Sequence, residues 1–200
     1  LADEYRMPAM ILADGLLGQM MEPVTFPEIT SKPVEKPWAT NGHGNKREHN
    51  IINSLYLQPD VLEKSVTDRF KRYDEIKEKH AEAELYKTED AEIVVTAYGA
   101  TSRVAKSAVN MAREQGIKAG LIRPVTLWPF PVKQYQKIAE TADRFLCVEM
   151  SMGQMIDDVK LAINCSKPVK FYGRTGGVIP KPSEILDEIK KYAKCAGGVK

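Results

Sequence analysis

Residues 93–102 read Ile93-Val94-Val95-Thr96-Ala97-Tyr98-Gly99-Ala100-Thr101-Ser102. The first five form a continuous run rich in β-branched side chains, which is typical of a strand that is buried on both faces. Gly99 then permits a tight turn, and apolar residues recur at helical spacing from Val104 to Ala112. The stretch therefore predicts a buried strand, a turn and a helix that packs on the strand.

The same unit recurs downstream. Further strands are predicted at Ile117–Ile122, Phe145–Val148 and Val169–Tyr172, and an amphipathic helix follows each of them. Strands that alternate with helices indicate a mostly parallel sheet with right-handed crossovers in a three-layer α/β/α arrangement. The last strand is less apolar than the others, so we expect it near an edge of the sheet.

The chain before Ala91 differs in composition and in its pattern of apolar residues. Residues 22–59 are rich in proline and predict an extended connector, and residues 60–86 predict one helix that Asp60 caps. The short apolar run Ala9–Ala13 is of buried-strand type, and its partner strands are expected upstream or in another chain. Because the chain starts at Leu1 without an initiator Met, we interpret it as a piece of a longer chain.

Composition excludes several classes of protein. With 29 basic and 27 acidic residues, the formal net charge of +2 gives no reason to expect nucleic-acid binding. No apolar run is long enough to span a bilayer, and no signal peptide is recognisable, so we expect no membrane partner. The three cysteines are far apart and odd in number, which favours reduced thiols in a cytoplasmic protein.

Two groups of residues are candidate sites. The turn after the first buried strand is a candidate site for an anion such as coenzyme A. Backbone amides at the start of a helix bind anions, and arginine side chains add positive charge. The residues of this candidate site are Gly99, Thr101, Ser102, Arg103 and Arg123. The alternative is that Thr101 or Ser102 simply caps the helix. A candidate subunit interface contains Trp128, Phe130, Met150 and Met152, although the two aromatic residues would equally cover the domain's own core.

No resident metal or cluster is predicted. His43, His49 and His80 show no ligand spacing, and no cysteine pair has the spacing of an iron–sulfur site. Asp14-Gly15 with Asn41 downstream resembles the diphosphate–metal motif of thiamine enzymes only weakly. Ala13 stands where that motif has glycine, so we do not interpret it as such a site.

Several motifs together resemble one known family, the α subunit of 2-oxoacid:ferredoxin oxidoreductases, and most closely its 2-oxoisovalerate (3-methyl-2-oxobutanoate) type. The motifs are Ala97-Tyr98-Gly99-Ala100-Thr101-Ser102-Arg103, Arg123-Pro124-Val125-Thr126-Leu127-Trp128-Pro129-Phe130-Pro131, Val148-Glu149-Met150-Ser151-Met152-Gly153-Gln154, Phe171-Tyr172-Gly173-Arg174-Thr175-Gly176-Gly177, Asp14-Gly15-Leu16-Leu17-Gly18-Gln19 and Asn50-Ile51-Ile52-Asn53-Ser54-Leu55. The resemblance thus covers nearly the whole chain. The 2-oxoglutarate and pyruvate types of the family stay open as alternatives, as do another thiamine family with the same C-terminal domain and a stand-alone module that binds an anion or coenzyme A.

The resemblance implies a domain organisation. Residues 1–29 would be the C-terminal remnant of a pyrimidine-binding domain, 30–90 a connector with a long helix, 91–194 a domain like the transketolase C-terminal domain, and 195–200 a tail. We expect residues 1–90 to be less stable than 91–194.

The resemblance also implies a reaction, the oxidative decarboxylation of a 2-oxoacid to acyl-coenzyme A with reduction of ferredoxin. Thiamine diphosphate, Mg²⁺ and 4Fe-4S clusters would be carried mainly by partner β, γ and δ subunits, and self-association is a further expectation. The family's catalytic residues lie in a domain outside these residues, so no catalytic or cofactor-binding residue is carried over. This chain alone is expected to be an inactive scaffold and docking part.

Overall fold

The computed structural model describes residues 1–28 and 35–194. Within them lie helices α1–α6, strands β1–β5 and a short 3₁₀ turn at Leu17–Gln19. Their bounds are α1 Ala2–Tyr5, α2 Pro59–His80, β1 Ala83–Tyr86, β2 Ile93–Thr96, α3 Gly99–Glu114, β3 Ala119–Pro124, α4 Val132–Ala139, β4 Arg144–Glu149, α5 Met155–Ala162, β5 Val169–Gly173 and α6 Pro182–Lys194. The predicted tail, 195–200, lies outside the described residues.

The chain divides into two compact units. The connector unit contains Leu1–Leu12 and Met20–Glu75, and the sheet unit contains Ala13–Gln19 and the chain from Ile76 onward. The division falls inside α2, so the long helix contributes residues to both units.

One five-stranded sheet organises the sheet unit, in the order β1-β3-β2-β4-β5. β3, β2, β4 and β5 run parallel to one another, which confirms the predicted mostly parallel α/β fold. β5 lies at one edge of the sheet, as its less apolar sequence predicts. The register places Thr96 of β2 beside Ile122 of β3 and Cys147 of β4, so the ends of these strands meet at one border of the sheet.

The other edge strand was not predicted. The sequence predicts a single helix over residues 60–86, and this prediction is wrong at the end of the helix. α2 stops at His80, and β1 pairs antiparallel with β3 from Ala83 to Tyr86. Alternating Ala and Glu from Ala81 favour a helix locally. The free edge of β3 offers a row of backbone hydrogen bonds, and this long-range pairing overrides the local preference.

The two faces of the sheet carry separate hydrophobic layers. On one face α3 and α6 pack against β2, with Val109, Ile185 and Ile189 fully buried. On the other face α4 and α5 cover the sheet through Tyr135, Ile138 and Val159. Burial on both faces explains why β2 is apolar without alternation, and it confirms the helical stripes that the sequence predicts.

Polar contacts hold the loop Pro37–Asn50 in the connector unit. Arg47 donates to the carbonyl oxygens of Ala39 and Gly42 at 3.1 and 3.2 Å, and Asn50 donates to those of Pro37 and Ala39 at 2.6 and 2.9 Å. The strand expected at Ala9–Ala13 is absent from the described structure, where these residues have no regular secondary structure. Ile11 is 96% exposed, since the described residues supply no neighbouring strand.

Within residues 1–28 and 35–194, no helix has both the length and the apolar character that a bilayer crossing requires.

Candidate functional site

The strand connections define a crevice at the carboxyl border of the sheet. β2 leads into α3 on one face, whereas its neighbour β4 leads into α5 on the other face. Adjacent strands whose connections diverge in this way leave an opening between their following loops, where doubly wound proteins bind ligands. In this chain the corresponding position lies between the turn at Tyr98-Gly99 and the loop from Glu149 to Gln154.

The first side of the crevice is the start of α3. Gly99 has a φ of +56°, a left-handed conformation that favours glycine. Thr101 and Ser102 are buried inside the helix, and Ser102 donates through Oγ to the carbonyl oxygen of Gly99 at 2.7 Å. Tyr98 stands at the N-cap position and makes no side-chain cap. The expectation that Thr101 or Ser102 caps this helix is therefore wrong.

The cap comes instead from a carboxylate 86 positions earlier in the chain. Asp14 Oδ2 accepts the backbone N–H of Ala100 at 3.3 Å, and Asp14 Oδ1 accepts that of Leu17 at 2.8 Å. A β-carbon at position 99 would lie 3.3 Å from Asp14 Oδ2, so glycine also makes room for this carboxylate. The negative charge complements the positive end of the helix. The anion held at this helix start is thus part of the chain itself.

The second side of the crevice is built around Glu149, which sequence reasoning missed. Its side chain is 1% exposed at the end of β4. The carboxylate accepts backbone N–H groups of Gln154, Met155 and Ile156 at 3.0, 3.1 and 3.1 Å, and the hydroxyl of Ser151 at 3.0 Å. Glu149 therefore caps α5 and closes the loop before it, which is how a buried carboxylate is accommodated.

A signal for Glu149 is present in the sequence. It is an acidic residue at the end of an otherwise apolar strand, and the helix after it has Gln154 rather than Ser, Thr, Asp or Asn at its N-cap position. A helix without a local cap predicts a cap from elsewhere. No comparable signal marks Asp14, because its partner lies 86 residues away.

Burial and negative charge keep neighbouring groups protonated. Burial raises the pKa of the Cys147 thiol, and the adjacent Glu149 carboxylate raises it further. Burial likewise raises the pKa of Tyr98, with a second contribution from Glu149. Cys147 donates to Glu149 at 3.3 Å, so we expect a thiol rather than a reactive thiolate at neutral pH.

Of the two predicted arginines, Arg123 is engaged away from the α3 turn. Arg123 lies on β3 and donates to Glu84 of β1 at 2.8 Å, in a directly opposed pair across the two strands. Arg103 is exposed on α3. At the start of the helix, the group that accepts the Ala100 amide is Asp14.

The four predicted interface residues fall into two groups. Phe130 stacks on buried Tyr135 with ring centroids 5.0 Å apart, so it covers the core of its own unit. Trp128 and Met152 are 52% and 83% exposed, whereas Met150 is half-buried. Trp128 and Met152 therefore remain the candidates for a partner contact.

A magnesium–diphosphate site does not fit the residues that are described. Asp14 is engaged by two backbone amides, and the side-chain oxygen of Asn41 accepts a hydrogen bond from Arg47 at 3.3 Å. His43 and His49, which the sequence gives no reason to pair, have ring centroids 4.1 Å apart in the connector unit. Within residues 1–28 and 35–194, no group of three or more potential ligands is placed to hold a metal ion.

The fold and the crevice define a doubly wound α/β protein, and comparisons with known proteins identify its family. Residues 91–185 match the family model described as pyruvate:ferredoxin oxidoreductase core domain II. Ketoisovalerate oxidoreductase subunit VorB of Methanothermobacter marburgensis is 44% identical over 195 residues, which cover 96% of this chain and 54% of that protein. 2-Oxoglutarate synthase subunit KorA of the same organism is 31% identical over 218 residues, or 94% of this chain and 57% of that protein.

A solved structure shares the fold. A 2-oxoglutarate:ferredoxin oxidoreductase from Magnetococcus marinus, with 2-oxoglutarate, coenzyme A and succinyl-coenzyme A bound, aligns with a TM-score of 0.58 at 20% identity. The alignment covers 69% of this chain and 24% of that one. This chain belongs to the 2-oxoacid:ferredoxin oxidoreductase family, so the resemblance found in the sequence is confirmed. It spans about half the length of the curated relatives that it matches.

Proposed function

We propose that this chain is part of the α-type subunit of a 2-oxoacid:ferredoxin oxidoreductase that acts on branched-chain 2-oxoacids. The reaction is the oxidative decarboxylation of the 2-oxoacid to acyl-coenzyme A and CO₂, with ferredoxin as the electron acceptor. The observation that carries the proposal is the 44% identity to the ketoisovalerate subunit over 96% of this chain, against 31% to the 2-oxoglutarate subunit. The relatives are named VorB and KorA, so the subunit letter is part of the proposal.

In this proposal the residues of this chain position other parts of the enzyme and carry no catalytic group. Asp14 already accepts the Ala100 amide at the start of α3, and Glu149 accepts those of Gln154, Met155 and Ile156 at the start of α5, which argues against a bound phosphate or coenzyme A there. Thiamine diphosphate, Mg²⁺ and 4Fe-4S clusters then belong mainly to partner β, γ and δ subunits. The enzyme would work in the cytoplasm.

The proposed domain organisation keeps the boundaries that the resemblance implies. Residues 1–29 end a pyrimidine-binding domain, 30–90 form the connector with its long helix, 91–194 form the transketolase C-terminal-like domain, and 195–200 are a tail. Exposed Trp128 and Met152 are the contacts proposed for a partner subunit or a second copy.

The test is reconstitution of the full-length subunit with its partners, followed by assay of ferredoxin reduction. We expect turnover with 2-oxoisovalerate to exceed turnover with 2-oxoglutarate or pyruvate, and no turnover by the present 200 residues alone. A preference for another 2-oxoacid would replace the substrate assignment. Turnover by these residues without partners would overturn the assignment of a scaffold role.

A further inference from the structure

A cluster of cationic side chains lies where α3 meets the edge strand β1. We call Lys87, Lys106 and Arg123, together with Glu84, the basic patch. Arg123 donates to Glu84 at 2.8 Å, and Lys106 Nζ lies 3.6 Å from the other oxygen of the same carboxylate. Two cationic groups therefore share the one carboxylate of the patch, and Lys87 adds a third cation, so the four side chains carry a formal charge of +2.

Both lysines also contact neutral groups. Lys87 donates to Asn110 Oδ1 at 2.8 Å, an atom that also accepts the hydroxyl of Tyr86 at 2.8 Å. The ammonium groups of Lys106 and Lys87 lie 4.5 and 5.2 Å from the centre of the Tyr86 ring. An amide oxygen and an aromatic ring orient an ammonium group without neutralising its charge.

The formal charge of the patch equals that of the whole chain, which is +2. Lys106, Arg123 and Glu84 each keep between 43% and 46% of their side chains exposed, which leaves them accessible to a binding partner. The carboxylate that two cations share is held ionised, because the hydrogen bond from Arg123 lowers the pKa of Glu84.

The shape of the patch indicates what kind of partner it fits. Its residues lie on α3, on and just after the edge strand β1 and on the neighbouring strand β3, and none of them lines the cavity of about 260 Å³ at the amino ends of the strands. Small ligands prefer concave pockets, whereas protein surfaces of opposite charge associate over open faces. We propose that the basic patch docks an acidic segment of a partner protein.

The experiment measures binding of a fluorescently labelled polyglutamate peptide to the full-length subunit by anisotropy at low and high salt. The test variant is Lys87→Glu with Lys106→Glu, and Lys87→Gln with Lys106→Gln is a milder form. The matched control, Lys137→Glu with Lys160→Glu, makes the same change in net charge on α4 and α5, which cover the other face of the sheet. Thermal unfolding of each variant verifies its fold.

We expect salt-dependent binding that weakens about tenfold or more in the charge-reversed variant, by a smaller factor in the glutamine variant, and less than about twofold in the control. If peptide binding weakens equally in the test and control variants, the effect arises from net charge alone and the proposal is overturned. Saturable binding of a mononucleotide without binding of polyglutamate would also overturn it, since the patch would then be a small-molecule site. None of these outcomes depends on which 2-oxoacid the enzyme uses.

Discussion

The sheet unit and the connector unit use their apolar residues in opposite ways. In the sheet unit, Val95 and Ile189 have no exposed surface, because helices cover both faces of the sheet. In the connector unit, Ile11 and Ile51 are 96% and 85% exposed, and the order of the Pro37–Asn50 loop rests on hydrogen bonds from Arg47 and Asn50. Burial of apolar surface dominates stability, whereas a hydrogen bond contributes only about 1 kcal/mol net. We therefore expect the free energy of unfolding to reside mainly in the sheet unit.

The largest expected effect tests this contrast directly with one chemical change at two positions. Ile189→Ala should lower the free energy of unfolding by about 4 kcal/mol, because it leaves a cavity in the core between α6 and the sheet. Ile51→Ala is the matched control and should change it by less than about 0.5 kcal/mol, since the side chain is exposed. Urea denaturation followed by circular dichroism measures both. Similar losses at the two sites would mean that the connector unit buries Ile51 in solution.

A somewhat smaller effect is expected at the buried carboxylate. Glu149→Ala should cost about 3 kcal/mol, because the amides of Gln154, Met155 and Ile156 lose their acceptor together. Glu149→Gln keeps one acceptor oxygen and should lose less. Exposed Glu140→Ala serves as the control and should stay within about 0.5 kcal/mol of the parent. A loss below about 1 kcal/mol for Glu149→Ala would show that other groups cap α5.

A third substitution probes the strand that the sequence did not reveal. A β-carbon at position 120 would lie 2.6 Å from the carbonyl oxygen of Lys87, in the backbone that follows β1. Gly120→Ala should therefore cost about 2 kcal/mol through overpacking. At Gly18, where a β-carbon meets nothing within 4 Å, the same substitution should have little effect. Denaturation midpoints compare the two, and equal midpoints would contradict the close passage of the chain after β1.

The smallest effect is expected at the distant cap. Asp14→Ala should cost about 1 kcal/mol, the usual loss when a helix cap is removed, and should speed hydrogen exchange at the Ala100 amide. Exposed Asp187→Ala removes a carboxylate elsewhere in the sheet unit and should leave that amide unchanged. Exchange measured by nuclear magnetic resonance distinguishes the two variants. If the exchange rate of the Ala100 amide is unchanged in Asp14→Ala, residues 13–19 do not belong to the sheet unit in solution.

Much of the sheet unit was predictable because its signals are local. The buried run at Ile93–Thr96 and the apolar periodicity of α3 and α6 each arise from residues within one element. β1 was missed because Ala81–Tyr86 has helical propensity, and only the free edge of β3 makes it a strand. The cap at Thr101 or Ser102 was mispredicted for a related reason, since local spacing cannot reveal that a carboxylate from Asp14 accepts the Ala100 amide.

The sequence by itself determined the alternation of buried strands and amphipathic helices, the less apolar edge strand β5 and the family resemblance, because each depends on the order and chemistry of neighbouring residues. The tertiary structure alone decided the position of β1, the two carboxylates beside the crevice and the clustering of Lys87, Lys106 and Arg123. These features join residues that are far apart in the chain, and such contacts form only when backbone groups and charges must be satisfied across the folded sheet.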